Sequence, residues 1–144
     1  MGIEDFTGGW DYGSLAPRIA IGRDCYIEGK HLFDRCRGVT TPCIRLGDRV
    51  RAYTWTTFNL EPDAVVEVGD DSVLVGAVFM CAERITIGRG VVISYNVTLA
   101  DSDFHPIDSA ERRRDAIATA PGGDRASRPA LVSRPGKMRR NRRA

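Results

Sequence analysis

Apolar residues in this chain recur every six positions, in register with a repeated tetrad. The tetrad has two apolar residues separated by one variable residue and followed by glycine. It occurs as IAIG, IRLG, VEVG and ITIG, ending at Gly22, Gly47, Gly69 and Gly88. The intervals between these glycines are 25, 22 and 19 residues, and a polar turn (RDC, DRV, DDS or RGV) follows each tetrad. Self-similarity at such a period is typical of repeat architectures.

Steps of six residues from the second apolar residue of each tetrad reach almost only large apolar side chains. The twelve positions, among which Ala52 is the one small residue, are Ile21, Ile27, Phe33, Leu46, Ala52, Phe58, Val68, Leu74, Met80, Ile87, Ile93 and Leu99. Four residues after each start the side chains are mostly small or β-branched: Cys25, Val50, Thr56, Ser72, Val78, Val91 and Val97. A period of six fits neither a helix nor an alternating strand. It predicts short strands joined by corners, with three strands in each triangular coil.

The pattern therefore predicts an all-β fold, a parallel β-helix of about four coils at residues 19–108, preceded by an N-terminal extension at 1–18. One coil cannot bury its apolar face alone, but stacked coils form a continuous core. The glycine of each tetrad is expected to relieve the backbone after the bulky residue. A β-sandwich with regular turns is the alternative, and it does not explain the four tetrads.

The stretch that resembles a known family is residues 85–108, ITIGRGVVISYNVTLADSDFHPID. It resembles the hexapeptide-repeat acyltransferases, in particular the maltose, galactoside and nodulation-type sugar O-acetyltransferases, which share an "IG…V.I..NVTI" coil that leads into a His-Pro loop. The resemblance implies a left-handed β-helix, acetyl-CoA as co-substrate and a hydroxyl group of a sugar or glycan precursor as acceptor. It also implies a homotrimer with active sites between subunits.

The resemblance assigns roles to residues of this coil and loop. His105 matches the family's catalytic histidine, the general base, and Asn96 matches the asparagine that helps to position the acceptor. Asp101, Ser102 and Asp103 lie in the loop that lines the acceptor pocket. The chemistry agrees, because a hydroxyl that attacks a thioester must lose its proton, and histidine is a usable base near neutral pH.

Other chemistry has weaker support in the sequence. The zinc enzymes with this fold need three histidines, whereas this chain has two, His31 and His105, so no metal site is predicted. Four cysteines without a Cys-x-x-Cys motif are interpreted as reduced, small apolar side chains. Trp55 and Tyr95 either face an acceptor or pack in the core or between subunits. With neither a membrane span nor a signal peptide recognisable, the expected location is the cytoplasm.

The segment 109–144 departs from the repeat pattern. It is predicted to form a protruding loop, with a short helix around Ala110–Ala118, and an irregular basic tail. Residues 1–110 carry 10 Lys/Arg against 16 Asp/Glu, whereas residues 111–144 carry 11 against 3. Family members continue here into coils that form much of the acetyl-CoA groove. Three interpretations are open: a truncated or frameshifted acetyltransferase, a β-helix assembly module without catalysis, or a basic tail for nucleic acid or acidic lipid. Nucleic-acid binding has the least support.

Overall fold

The structure, a computed structural model, describes residues 10–129 of the chain. The chain divides into two compact units, residues 1–101 and residues 102–144. The first part of the N-terminal extension, residues 1–9, and the predicted basic tail at 130–144 lie outside the described residues. In the described range no helix is long and apolar enough to span a membrane.

The first unit is a parallel β-solenoid of about four turns, as the six-residue period predicts. Its strands are β1 (Ile19–Ile21), β2 (Tyr26–Ile27), β3 (Ile44–Leu46), β4 (Arg51–Tyr53), β5 (Thr57–Leu60), β6 (Val65–Val68), β7 (Val73–Val75), β8 (Val78–Cys81), β9 (Arg84–Ile87), β10 (Val92–Ile93) and β11 (Thr98–Ala100). They form three sheets, in the orders β1-β3-β6-β9, β2-β4-β7-β10 and β5-β8-β11, and all pairs are parallel. Each of the second to fourth coils thus contributes one strand to each side, and the first coil contributes a strand to two sides. The left hand of the coil stays a prediction.

Bulky side chains stack in columns through the solenoid interior. In the third sheet the rings of Phe33 and Phe58 are 5.3 Å apart, those of Phe58 and Phe79 are 4.8 Å apart, and Leu99 pairs with Phe79 in register. Phe33 comes from a short 3-10 helix, Lys30–Phe33, which takes the place of a strand in the first coil. Burial of a phenylalanine contributes about 1.5–3 kcal/mol, so this column is a major part of the core.

The third coil corrects the six-residue register. The sequence pattern places Met80 inside, but Phe79 is fully buried and Met80 is only partly buried. The corner between β7 and β8 is one residue shorter than the corresponding corner between β4 and β5, and Gly76 has the left-handed conformation (φ 68°) two residues after Leu74. The small buried corner residue is consequently Ala77 rather than Val78.

Most corners use the same device, one residue in the left-handed conformation. Non-glycine residues hold it at Asp24, Arg49, Trp55, Asp71 and Asn96, with φ between 55° and 66°. The next residue is small or β-branched, and it is buried at Cys25, Val50, Thr56 and Ser72, as the sequence predicts. The side chains of Cys25, Thr56 and Ser72 also bond across coils; for example, the Ser72 hydroxyl donates to the carbonyl of Gly88 at 3.0 Å. A polar group can therefore be buried at a corner without being left unpaired.

The tetrad glycines serve a different purpose from the one expected. Gly22, Gly47 and Gly69 have no left-handed φ, so backbone relief does not explain them. A Cβ atom on Gly22 would lie 2.5 Å from the carbonyl oxygen of Gly47, and one on Gly69 would lie 2.7 Å from the carbonyl carbon of Gly88. The glycines stack coil on coil at a separation that no side chain fits. Their function is close approach of backbones.

The N-terminal segment covers the outer edge of the second sheet. The Tyr12 hydroxyl accepts a hydrogen bond from the Ile27 amide at 2.8 Å and lies 3.1 Å from the Ile27 carbonyl oxygen, to which it donates. The Trp10 indole donates to the same carbonyl at 2.9 Å. These side chains satisfy backbone groups that a further strand would otherwise pair. At the other end of the solenoid, β9, β10 and β11 each pair on one side only within the described residues.

The second unit, in its described residues 102–129, contains α1 (Ser109–Thr119) and a short 3-10 helix, Arg125–Ser127. Helix α1 forms where the sequence predicts a short helix. The Asp108 side chain caps it by accepting from the Glu111 amide at 2.9 Å. The helix ends at Thr119, and Ala120 is extended directly before Pro121, because a residue before proline disfavours the helical region.

Candidate functional site

Asp101, at the end of β11, is engaged with the solenoid backbone. Its carboxylate accepts hydrogen bonds from the amides of Ala82, Glu83 and Arg84 at 2.7–2.8 Å. Ala82 and Glu83 form the turn between β8 and β9, and Arg84 is the first residue of β9. A carboxylate that accepts hydrogen bonds from three backbone amides strongly stabilises the local backbone conformation. The structure therefore gives Asp101 a clear role in closing this turn, while its predicted contact with substrate stays a prediction.

Asn96 also belongs to the solenoid, at the corner before β11. Its φ of 64° is the left-handed conformation that Trp55 and Gly76 adopt at the corresponding corners of earlier coils. Asparagine tolerates this conformation better than most residues. The side chain is exposed. The asparagine of the NVTL motif thus meets a backbone requirement, and its predicted role toward an acceptor stays a prediction.

Ser102, Asp103 and His105 belong to the second unit, in a tight turn. The Ser102 hydroxyl accepts from the Phe104 amide at 3.2 Å, and the Asp103 carbonyl accepts from the His105 amide at 2.7 Å. Phe104 between them has a φ of 56°, an unusual conformation for an aromatic residue. Such conformations persist only where surrounding contacts hold them, and they cluster at functional sites.

His105 is the exposed end of a three-residue network inside the second unit. Its Nδ1 atom lies 2.5 Å from Oδ2 of Asp115, whose other oxygen accepts from Nε of Arg128 at 2.6 Å. Asp115 is fully buried, whereas 60% of the His105 side chain is exposed. A hydrogen bond to Asp115 places the imidazole proton on Nδ1 and leaves Nε2 free to act as a base. A histidine base that is oriented by a hydrogen bond to a carboxylate is a geometry found in many enzymes that use general-base catalysis.

Asp115 remains ionised despite its burial. Burial alone raises its pKa, but the hydrogen bonds from His105 and Arg128 and the Arg128 charge outweigh burial, so the pKa of Asp115 lies below its usual value. Helix α1 positions this carboxylate on its buried side, one turn before Ala118. A buried, ionised and hydrogen-bonded carboxylate is suited to orient an imidazole and to stabilise its protonated form.

A shallow cleft of about 470 Å³ lies beside the histidine, lined by Asp103, His105, Ile107 and Arg112. Arg112 is fixed at its rim, because its Nε donates to the carbonyl of Pro106 at 3.0 Å and its Nη2 lies 3.5 Å from the carbonyl of Ile107. The cleft therefore contains one base, one carboxylate and one guanidinium group around an apolar side chain. Of the predicted site residues, Asp103 and His105 are the two that line it.

Asp115 and Arg128 are not among the site residues that the sequence predicts. Asp115 has a weak local signal, because it lies on the same helical face as Ala118 within an otherwise exposed, arginine-rich helix. Arg128 has no local signal, since it follows the 3-10 helix Arg125–Ser127 in a segment without periodicity. Their relationship to His105 depends on the chain turning back after α1.

The remaining candidates lie elsewhere. His31 is exposed on the 3-10 helix Lys30–Phe33. Among the described residues there is no group of three or more His, Cys, Asp or Glu side chains that could hold a metal ion. All four cysteines are free and buried in the solenoid. Trp55 and Tyr95 are not core residues: they are 71% and 53% exposed, and their rings contact each other edge to face at 6.0 Å.

Comparison with models of known protein families, with curated proteins and with solved structures finds no match to this chain.

Proposed function

We propose that this protein is an O-acetyltransferase that moves an acetyl group from acetyl-CoA to a hydroxyl group of a sugar or glycan precursor, with His105 as general base. The observation that carries the proposal is the hydrogen-bonded series His105–Asp115–Arg128 beside an open cleft. It agrees with the resemblance of residues 85–108 to the sugar O-acetyltransferases of the hexapeptide-repeat family. The solenoid fold is consistent with that family.

The proposed reaction is direct transfer. Nε2 of His105 removes the proton of the acceptor hydroxyl as its oxygen attacks the thioester carbonyl and a carbon–oxygen bond forms. Asp115 stabilises the imidazolium that develops, because its carboxylate accepts from Nδ1. The tetrahedral intermediate then collapses, the carbon–sulfur bond breaks, and the coenzyme A thiolate takes the proton from His105. Neither a covalent enzyme intermediate nor a metal ion is needed for this balance.

We propose that the acceptor is contacted by Asn96, Asp101, Ser102 and Asp103. These four residues differ in their position relative to the cleft and in the hydrogen bonds they already make. Asp103 lines the same cleft as His105, so it is the leading candidate. The Asp101 carboxylate and the Ser102 hydroxyl already accept backbone hydrogen bonds. We expect a homotrimer, as the family resemblance implies, and a location in the cytoplasm, as expected from the sequence.

A second candidate function is a non-catalytic assembly module. The last strands β9, β10 and β11 pair on one side only in the described part of the chain, and unpaired strand edges are templates for association with another chain. The assembly role needs neither acetyl-CoA nor a base. The two functions therefore differ in one directly measurable property, affinity for acetyl-CoA.

The experiment is calorimetric titration of the full chain with acetyl-CoA, followed by chromatographic detection of acetylated product with a panel of sugars. The enzyme hypothesis predicts binding and a His105→Ala variant whose turnover falls about 10²–10⁴-fold, the usual contribution of a general base. His31→Ala is the matched control and should keep full turnover, because His31 lies in the solenoid unit on an exposed 3-10 helix. Absence of binding at millimolar acetyl-CoA would reject the enzyme and favour the assembly module. Full turnover in His105→Ala would reject the assigned base.

A further inference from the structure

The buried carboxylate of Asp115 has two hydrogen-bond partners that can carry a positive charge, Arg128 and His105. Its side chain is 0% exposed, and a buried ionised carboxylate is strongly destabilising unless a positive charge compensates it. Arg128 and His105 each bond one of its oxygens, at 2.6 and 2.5 Å. A guanidinium group carries its charge at every physiological pH, whereas an imidazole gains and loses its charge near neutrality. Only one of the two can be a permanent counter-ion.

We infer that Arg128 is a positioning residue: it supplies the permanent positive charge for Asp115 and thereby leaves His105 free to be neutral, with Nε2 available as a base. The part of this inference that concerns catalysis rests on the proposed function. The distribution of charge among the three side chains does not depend on it.

The same guanidinium group also sets the backbone next to the base. Nη2 of Arg128 donates to the carbonyl of Phe104 at 2.7 Å, directly before His105 in the chain. Phe104 has the left-handed conformation, which is unfavourable without such support. The Arg128 side chain is only 11% exposed, so solvent screens these contacts weakly. One largely buried side chain therefore controls both the charge beside the imidazole and the turn that carries it.

Arg112 offers a matched control on the other side of His105. Its guanidinium donates to the carbonyl of Pro106, the residue directly after the histidine, and lines the same cleft. It differs from Arg128 in its surroundings, because Arg112 is exposed and bonds backbone carbonyls rather than the Asp115 carboxylate. Among the described residues, the charged side chains that bond this network or line its cleft are Asp115 and Arg112 from α1, Arg128 from the following segment, and Asp103 from the loop of His105 itself. A replacement of Arg112 removes a nearby charge and a carbonyl contact, but not the counter-ion of Asp115.

The experiment is an NMR titration of the two histidines in the full chain, with selectively labelled histidine and the exposed His31 as internal reference. In Arg128→Met we expect the midpoint of the His105 titration to rise by about one pH unit or more, because the uncompensated carboxylate then holds the imidazolium. Asp115→Asn should move the midpoint in the opposite direction. Arg128→Lys, which keeps the charge, should restore most of the wild-type behaviour, and Arg112→Met should shift the midpoint by less than about 0.3 unit, because exposed charges are screened. The His31 signal should not move in any variant.

Two results would overturn the inference. One is an Arg128→Met titration that matches the wild type or that shifts no more than Arg112→Met. The other, which needs no variant to fold, is a wild-type His105 whose nitrogen shifts at pH 7.5 report an imidazolium ion or a proton on Nε2. The proposed function fails separately, if the chain binds no acetyl-CoA while the titrations behave as expected. If acetyl transfer is found, its pH–rate profile should move to higher pH in Arg128→Met, together with the NMR midpoint.

Discussion

Phe58 and Phe79 stack face to face in the solenoid interior, with ring centroids 4.8 Å apart and ring planes inclined by 13°. The contact joins β5 and β8, in which the two residues are register partners. It settles which of two adjacent residues of β8 belongs to the core. Phe79 points inward, and Met80 points away from the column that Phe33, Phe58 and Leu99 continue.

We predict that Phe79→Ala lowers the free energy of unfolding of the solenoid by about 3–5 kcal/mol, the usual effect of emptying a fully packed aromatic site. Met80→Ala is the matched neighbour and should lower it by about 1 kcal/mol or less, since this side chain is only partly buried. Urea denaturation followed by circular dichroism measures both. Equal losses in the two variants would mean that the register of β8 is not the one described.

A glycine can be required at a corner because of its left-handed backbone conformation or because a side chain would clash there, and Gly76 and Gly90 distinguish these two reasons. Both have the left-handed conformation, with φ of 68° and 65°. A Cβ atom on Gly76 would lie 2.7 Å from Cδ1 of Tyr95, whereas one on Gly90 would meet nothing within 4 Å. We predict that Gly90→Ala destabilises by about 1 kcal/mol, the backbone preference alone, and Gly76→Ala by about 2 kcal/mol or more. Gly76→Ala should also displace Tyr95 from Trp55, which tryptophan fluorescence measures. Equal unfolding free energies and unchanged fluorescence would contradict the described corner.

The stability of the second unit should depend on pH through Asp115. The pKa of this carboxyl is lower in the folded chain than in the unfolded chain, where it is about 3.9. The ionised group therefore stabilises the fold above about pH 4, and this contribution disappears as the pH falls through the lower, folded pKa. Amide hydrogen exchange of α1 measures it, by comparison of the wild type with Asp115→Asn. We expect a difference of about 3–5 kcal/mol at pH 5 that shrinks markedly by pH 2.5. A difference that stays constant over this range would show that Asp115 does not act through its charge.

The buried thiols should be nearly inert in the folded protein. Burial raises the pKa of Cys43 to about 11, with Cys36 adding to the effect, and burial together with the Asp101 charge raises the pKa of Cys81 to about 12. At pH 8 the reactive thiolate is on the order of one part in 1,000 for Cys43 and one in 10,000 for Cys81. Iodoacetamide labelling followed by mass spectrometry should modify these cysteines only after denaturation. A Val39→Cys variant, at a site that is 69% exposed, is the positive control. Labelling of Cys43 in the native chain at the rate of that control would refute the burial of its thiol.

The repeat architecture could be predicted from the sequence because its physical cause is periodic. Each coil must point one bulky apolar side chain inward on every side, so the spacing of Ile21, Leu46, Val68 and Ile87 already indicates stacked coils. Corners occupied by small residues follow from the same geometry. The short corner at Gly76 could not be predicted in this way. One residue fewer at a turn leaves the hydrophobic pattern almost unchanged, because Phe79 and Met80 are both apolar.

The positions of the tetrad glycines were predicted correctly from the sequence, but the predicted reason, relief of the backbone, was wrong. Their recurrence is visible in the sequence, but the reason for it is the short distance between the backbones of neighbouring coils. A sequence gives spacing along the chain and not the separation of stacked segments. Gly22 and Gly47 reveal their role only when the two coils are superposed in space.

For His105, the sequence indicates one part of the site and the tertiary structure adds the rest. The sequence alone determined that this histidine follows the last coil in a short polar loop, and that the loop resembles one that carries a general base. The surroundings of the histidine depend on the tertiary structure, because Asp115 and Arg128 lie 10 and 23 residues further along the chain. A local motif is encoded by neighbouring residues, whereas a buried ion pair forms where a helix and the segment after it turn back, and no short-range pattern encodes that meeting.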